Sequence, residues 1–400
     1  MRLSRSAITK IQMIAIIVVI VVAVIAGVAY WWMTQPVGEE NVIKIGYTAP
    51  FTGPAAEFGT NGWYGIEIAL EEINARGIMI GDKKYTIKII RYDDRCEPSD
   101  GASNVQRLIV EDRVVAILGS HCSSVCMATL PIIQEHGIPT ITIECAADAL
   151  TKQGATYYFR MRPSMPLMAP SIAQVMVQKL GVTTVSYVAI NDDYGRSFVQ
   201  AFQNALDDYG VTTKTVAYFE RGTTDYMPYL TEIQANPPDA VMYVGVAVEG
   251  AMLLKQAHEL GLTQTIKFIG SEEMAGTELV DLAGTDAAAN TYAISLIIYP
   301  PDPLCPSGVV TLANKVQTKY GVPLHYATVF AYDALYVVAK AIEDAQSTDP
   351  AAIRDALDAI VYPGLEGLIK FEDFEGYTNQ GNFPIHIFMW TSEGTRSYIG

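Results

Sequence analysis

The sequence predicts an α/β chain, two doubly wound parallel-sheet lobes behind one N-terminal membrane helix. Three observations predict it. From Val42 onward strand-like and helix-like segments alternate, and alternation at this length gives a parallel sheet with helices on both faces. The alternation comes in two series, separated by the stretch Pro163–Pro170. Before both lies Met13–Met33, twenty-one residues without a charge. At 400 residues, two domains of ordinary size are the default.

The apolar run reads MIAIIVVIVVAVIAGVAYWWM. At ~1.5 Å per residue it spans roughly 31 Å, about one hydrocarbon core. Tyr30, Trp31 and Trp32 stand at its far end, where amphipathic rings favour the interface. Basic residues precede it and Glu39–Glu40 follow, which places the N-terminus in the cytoplasm and the rest outside. The run lacks a clear small-x-small cleavage site and is long for a secretory signal, so it reads as an uncleaved anchor, with a removed signal as the alternative. TQPVGEE (34–40) is then a short tether.

In the first series VIKIGYT (42–48) is a strand. The next segment places Trp63, Ile66, Leu70 and Ile73 on one helical stripe and stops at Gly77. YTIKIIR (85–91) is a strand, and Val105, Leu108 and Ile109 mark a helix from Ala102. VVAIL, a helix after Ser123 and IPTITI (138–143) continue the rhythm. The second series holds TVSYVAI (184–190), a helix over 196–209, TKTVAYF, a helix near 226–235, DAVMYVG (239–245), a helix to Gly261 and TIKFIG (265–270). YPPDPLCPSG (299–308) is a loop, helices follow near 309–320, 327–344 and 351–360, and NFPIHIFMW (382–390) is a strand.

The composition is half apolar, which is globular, and the net charge of −16 repels phosphate backbones, so nucleic-acid binding is excluded as the main role. Five scattered histidines make no metal cluster, and no cofactor is expected. All five cysteines lie beyond the apolar run, where disulfides persist, and their spacing fits no paired zinc pattern.

Open α/β sheets bind ligands beyond the carboxyl ends of their strands. The short polar motifs fall at such ends: APFTGPAAEFG, DDRCEP, GSHCSS and ECAAD in the first series, NDDYG and SEE in the second. That is one rim per lobe, with a ligand held between. GSHCSSVC (119–126) invites two readings. Serine, histidine and cysteine side by side suggest an enzyme. A serine opening a helix suggests an anion site, because free N–H groups and the dipole favour negative charge there. The sequence has no GxSxG elbow, no HExxH and no phosphate loop, which disfavours catalysis.

With KIGYTAPFTGPAAEFG, EEINARG, YDDRCEP, ILGSHCSS, EHGIPTITI, Leu150–Thr151, NDDYG and KFIGSEE in this order, the chain resembles the type I periplasmic-type solute-binding proteins from about Val42 to Trp390. The branch it is nearest to is the leucine/isoleucine/valine-binding proteins of ABC importers. The resemblance implies two lobes joined by a three-crossover hinge: residues 41–162 plus 296–383, and 163–295 plus 384–400, after an anchor and tether at 1–40. It implies an amino acid, amide or urea-like ligand and an ABC permease as partner. A sensing ectodomain that signals through another membrane protein is the alternative.

The resemblance also implies residues. Ser123 grips the ligand carboxylate, with His121 and Ser124 beside it. Phe58 covers the ligand, Tyr194 closes over it, and Glu272 pairs with its ammonium, Glu273 being a neighbouring alternative. Glu144, Cys145, Ala146 and Val246 occupy further ligand-facing positions. Cys96 and Cys122 correspond to a disulfide. Cys126, Cys145 and Cys305 have no counterparts, so a Cys126–Cys145 bridge and buried free thiols both stay open. Two departures matter: Ala146 lacks the hydroxyl usual at its position, and Val246 stands where a tyrosine is expected. Glu144 and Glu272 facing one pocket would make it electronegative and favour extra positive charge or several N–H donors.

Overall fold

β1 (Val42–Ala49) is buried on both faces, as a strand covered by helices must be, and it is the pivot of the first sheet. The computed structural model describes residues 41–152, 154–374, 376–381 and 383–399. The expected membrane helix and tether fall at 1–40, outside the described residues. Among the described residues no helix is long and apolar enough to cross a membrane.

The first sheet continues through β2 (Ile78–Ile80), β3 (Lys83–Asp93), β4 (Ala116–Leu118), β5 (Thr140–Thr142) and β6 (Tyr158–Arg160). The second is built from β7 (Thr184–Ile190), β8 (Thr212–Phe219), β9 (Ala240–Val244), β10 (Lys267–Gly270) and β11 (Tyr292–Ser295). A short hairpin, β12 (Tyr362–Pro363) with β13 (Leu368–Ile369), precedes the chain's return. β14 (Glu372–Phe374) and β15 (Tyr377–Gln380) then join the first sheet, while β16 (His386–Trp390) and β17 (Arg396–Tyr398) join the second.

The orders are β14-β15-β6-β5-β4-β1-β3-β2 and β17-β16-β11-β10-β9-β7-β8. β4 and β5 run parallel to β1 and to each other, and β8 and β9 run parallel to β7. The order therefore reverses at β1 in one sheet and at β7 in the other. Those are the switch points where a crevice opens beyond the strand ends. The chain passes between the sheets three times, at 161–183, 296–371 and 381–385.

The first-sheet helices α1 (Ala56–Arg76), α2 (Pro98–Arg107) and α3 (Ser123–His136) follow β1, β3 and β4. α4 (Met165–Gln178) occupies the first crossing, and α5 (Asp193–Asp207) and α6 (Ala247–Glu259) follow β7 and β9. α7 (Tyr326–Ala345) returns to pack on α1, and the contact is close because Gly65 lies there: a Cβ on it would stand 2.1 Å from Thr328 O. One apolar core cluster runs through both sheets. A smaller one holds Val105, Leu108, Ile117, Leu130 and Ile133, with Cys126 and Cys145 inside it.

Candidate ligand site

The first rim is organised by Asp94, which is fully buried at the end of β3. Its carboxylate accepts hydrogen bonds from Thr48 Oγ1 at 3.1 Å and Ser120 Oγ at 2.7 Å, and from Cys96 N at 3.0 Å. The loops after β1, β3 and β4 are thus tied together. Burial raises the Asp94 pKa. Gly119 leaves β4 at φ 102°, and a Cβ there would stand 2.0 Å from Thr48 O, so only glycine makes this exit.

His121 follows, buried, with Nε2 2.8 Å from Tyr47 OH and Nδ1 2.9 Å from Glu144 Oε2. Burial pushes the imidazole down to about 4 and pushes the Glu144 carboxyl well up. At neutral pH the imidazole is therefore neutral, and burial favours the protonated form of the Glu144 carboxyl. Glu144 Oε1 is buried without a hydrogen-bond partner.

α3 begins at Ser123, whose Oγ accepts from Ala146 N at 3.1 Å and Ala147 N at 3.2 Å. Both lone pairs are used, so the hydroxyl has only its hydrogen left to donate. The first-turn N–H groups of α3 point the same way and have no partner inside the helix. Together these donors suit an anion.

On the second rim Asp192 caps α5 by accepting from Gly195 N at 3.0 Å. Tyr194, on the first turn, is packed into the site, and its hydroxyl is buried with no partner of normal geometry. After β10 the turn Ser271–Ala275 is held from behind: Trp390 Nε1 donates to Met274 O at 3.1 Å, and Arg396 donates to Ala275 O at 2.8 Å. Glu273 Oε2 accepts from Tyr326 OH at 2.5 Å. Burial and the neighbouring Glu272 and Glu144 raise the Glu273 pKa well above the usual carboxylate range.

A cavity lies between these rims. Ala55, Phe58, His121, Cys122, Ser123 and Glu144 line it from the first sheet's side; Ile190, Asp192, Tyr194, Arg221, Gly245, Val246 and Glu273 line it from the second's. Phe58 is stacked near His121, with ring centroids 6.5 Å apart. Of the residues that the sequence singled out, Phe58, His121, Ser123, Glu144, Tyr194 and Val246 are brought together here.

Four are not. Glu272 does not line the cavity: its Oε1 is ion-paired with Arg162, which lies in the first crossing between sheets. The turn Glu272–Ala275 is 3₁₀, so consecutive residues point about 120° apart, and Glu273 takes the cavity-facing direction. The acids that line the cavity are therefore Glu144 and Glu273, the neighbouring alternative to Glu272. Cys145 turns into the smaller core, with its sulfur 1.84 Å from that of Cys126. Ala146 contributes its N–H to Ser123 and no surface. Ser124, one helix position on, does not line the cavity. The sulfurs of Cys96 and Cys122 are 1.96 Å apart, with Cα atoms 5.5 Å apart. Among the described residues no group of three or more His, Cys, Asp or Glu is placed to hold a metal ion.

Sequence reasoning missed Asp192 and Arg221. Both stand at strand ends, after β7 and β8, so the rim rule that found the other motifs reaches them. NDDYG was noticed, but for its tyrosine alone.

The family model described as periplasmic binding protein matches residues 42–395. The chain belongs to the periplasmic binding protein family. It is accordingly a solute-binding protein and not an enzyme. A similar curated protein is the leucine-, isoleucine-, valine-, threonine- and alanine-binding protein of Pseudomonas aeruginosa, 26% identical over 359 residues, covering 90% of this chain and 92% of that one. In fold the chain is similar to a leucine-binding protein of Thermotoga maritima, with a TM-score of 0.80 and 24% identity over 90% of this chain and 98% of that chain. It is also similar in fold to a solute-binding protein of R. palustris in complex with benzoate, with a TM-score of 0.79 and 19% identity over 90% and 96% of the two chains. Neighbours of one fold carry names with different ligands, so the ligand has to be argued from the cavity.

Proposed function

We propose that the chain captures an amino acid between its two rims for an ABC importer in the same membrane. One observation carries the reading: a cavity is lined by the strand ends of both sheets, and Glu144 Oε1 and Tyr194 OH are buried in its wall without a hydrogen-bond partner of normal geometry. Both atoms are free to hydrogen-bond a ligand held in the cavity. The ligand carboxylate sits at the α3 N-terminus against the Ser123 hydroxyl. Its ammonium sits between Glu144 and Glu273, two buried carboxyls from opposite rims, while the nearby Arg162 is ion-paired with Glu272. Tyr194 donates from the second rim, and Phe58 covers the side chain. Similar proteins named for leucine, isoleucine and valine support the amino-acid class.

In this reading Cys96–Cys122 and Cys126–Cys145 are disulfides formed outside the cell. The first ties the loop after β3 to the residue before Ser123. Residues 13–33 anchor the chain, and 34–40 keep the cavity close to the permease.

The test is thermal unfolding of the full chain in detergent against a panel of amino acids, amides and urea. A ligand that binds only the folded state at about 100 times its Kd adds about 2.7 kcal/mol, a rise of several degrees. An amino acid in the panel is expected to give that rise. If none does, the reading is withdrawn.

A further inference from the structure

The second rim holds a charged pair that the ammonium and carboxylate contacts leave unused. Arg221 follows β8 and Asp192 follows β7, and parallel pairing of these strands brings both to one edge of the cavity. Arg221 Nη2 donates to Asp192 Oδ2 at 2.8 Å. Arg221 Nη1 is buried and has no hydrogen-bond partner.

The pair is held in place from behind. Asp192 Oδ1 is committed to the α5 cap. Glu249, 2% exposed, accepts from Gly222 N at 2.7 Å and from Val246 N at 3.3 Å. One carboxylate therefore fixes both the turn that carries Arg221 and the turn that carries Val246. The side chain is only partly exposed, and a buried guanidinium N–H on a pinned turn is costly unless something accepts from it.

We infer that Arg221 and Asp192 form a distal subsite for a neutral carboxamide on the ligand's side chain. The inference rests on the amino-acid reading above and narrows it. The amide carbonyl accepts from Arg221 Nη1, and the amide N–H donates to Asp192 Oδ2, which has a lone pair to spare. Charge selects the neutral group. Asp192 already balances Arg221, and a ligand carboxylate would enter a cavity that also holds Glu144 and Glu273. A second ligand cation would meet Arg221. An apolar end would leave Nη1 unsatisfied.

The test is isothermal titration of the full chain in detergent with L-asparagine, L-glutamine, L-leucine and L-aspartate. Leucine matches asparagine closely in shape and lacks its polar atoms. One of the two amides is expected to bind roughly tenfold to a hundredfold more tightly than leucine, the range for one or two hydrogen bonds to charged groups. Arg221→Met is expected to bring that ratio close to one. Leucine binding as tightly as both amides, or aspartate binding more tightly than asparagine, overturns the subsite and leaves the amino-acid reading standing. An unchanged ratio in Arg221→Met also overturns it. No binding of any of the four amino acids overturns the subsite, and the amino-acid reading then rests on the thermal panel. If Arg221→Met fails to fold, the ranking on the unmodified chain decides alone.

Discussion

At the scale of single residues the site depends on where one proton sits. His121 is buried between Tyr47 and Glu144, so its imidazole stays neutral, and burial favours the protonated Glu144 carboxyl. An ammonium beside Glu144 Oε1 reverses that preference, because an opposite charge within ~4–6 Å favours the ionised carboxyl. Binding then releases a proton, and affinity for an ammonium ligand rises with pH. Calorimetry at pH 7 in buffers of different ionisation enthalpy is expected to show net proton release, and Glu144→Gln is expected to reduce it. A heat that does not depend on buffer would mean that Glu144 is ionised before the ligand arrives. The correction from Glu272 to Glu273 belongs to this scale too. A motif gives two adjacent acids, and only the 3₁₀ turn and the competing Arg162 decide which one faces the ligand. No one-dimensional pattern in SEE encodes that choice.

At the scale of elements, two contacts set the frame of the first lobe. α1 meets α7 at Gly65, where there is no room for a side chain beside Thr328 O. Gly65→Ala is expected to force the helices apart and to cost about 1–3 kcal/mol, measured by chemical denaturation. A neutral result would mean that the α1–α7 contact is looser than its geometry. The β12–β13 hairpin is anchored to α7 by Asp333, whose Oδ2 accepts from Leu365 N at 2.8 Å. Burial pushes the Asp333 carboxyl up to about 7. A carboxyl raised on folding contributes its full share below its unfolded value, about 3.9, and that share is lost as pH rises through about 7. Asp333→Asn removes the titration and keeps an acceptor, so above pH 7 it is expected to be more stable than the parent by on the order of 2–4 kcal/mol, at 1.36 kcal/mol per unit. Denaturation at pH 5 and pH 8 checks this, and the gain must grow with pH. The elements themselves were legible in the sequence: apolar runs gave the central strands, and stripes such as Trp63, Ile66, Leu70 and Ile73 gave the helices. Their ends were not. β3 runs two residues past each expected end, to Lys83 and Asp93, because the sheet ladder and the exposed sequence there carry no apolar signal. The helix expected from Ala102 begins at Pro98, where a proline at the first turn serves as the start.

At the scale of the whole molecule, the switch points of both sheets border one cavity, which is the basis for proposing that a ligand is held by both lobes. The rims could be read from the sequence because each polar motif ends an apolar strand. Which rim residues meet across the gap could not, since Tyr326 and Glu273 are far apart in the chain and are brought together only by the crossings between the sheets. A ligand that touches both rims favours the arrangement that brings them together, which couples capture to closure. The most direct test is a crystal structure of the chain grown with the amino acid that raises its melting temperature most. The account predicts one molecule in the cavity, its carboxylate at Ser123 and the start of α3, and its ammonium between Glu144 and Glu273. A ligand bound elsewhere, or an ammonium held by Glu272 with Arg162 displaced, would contradict it.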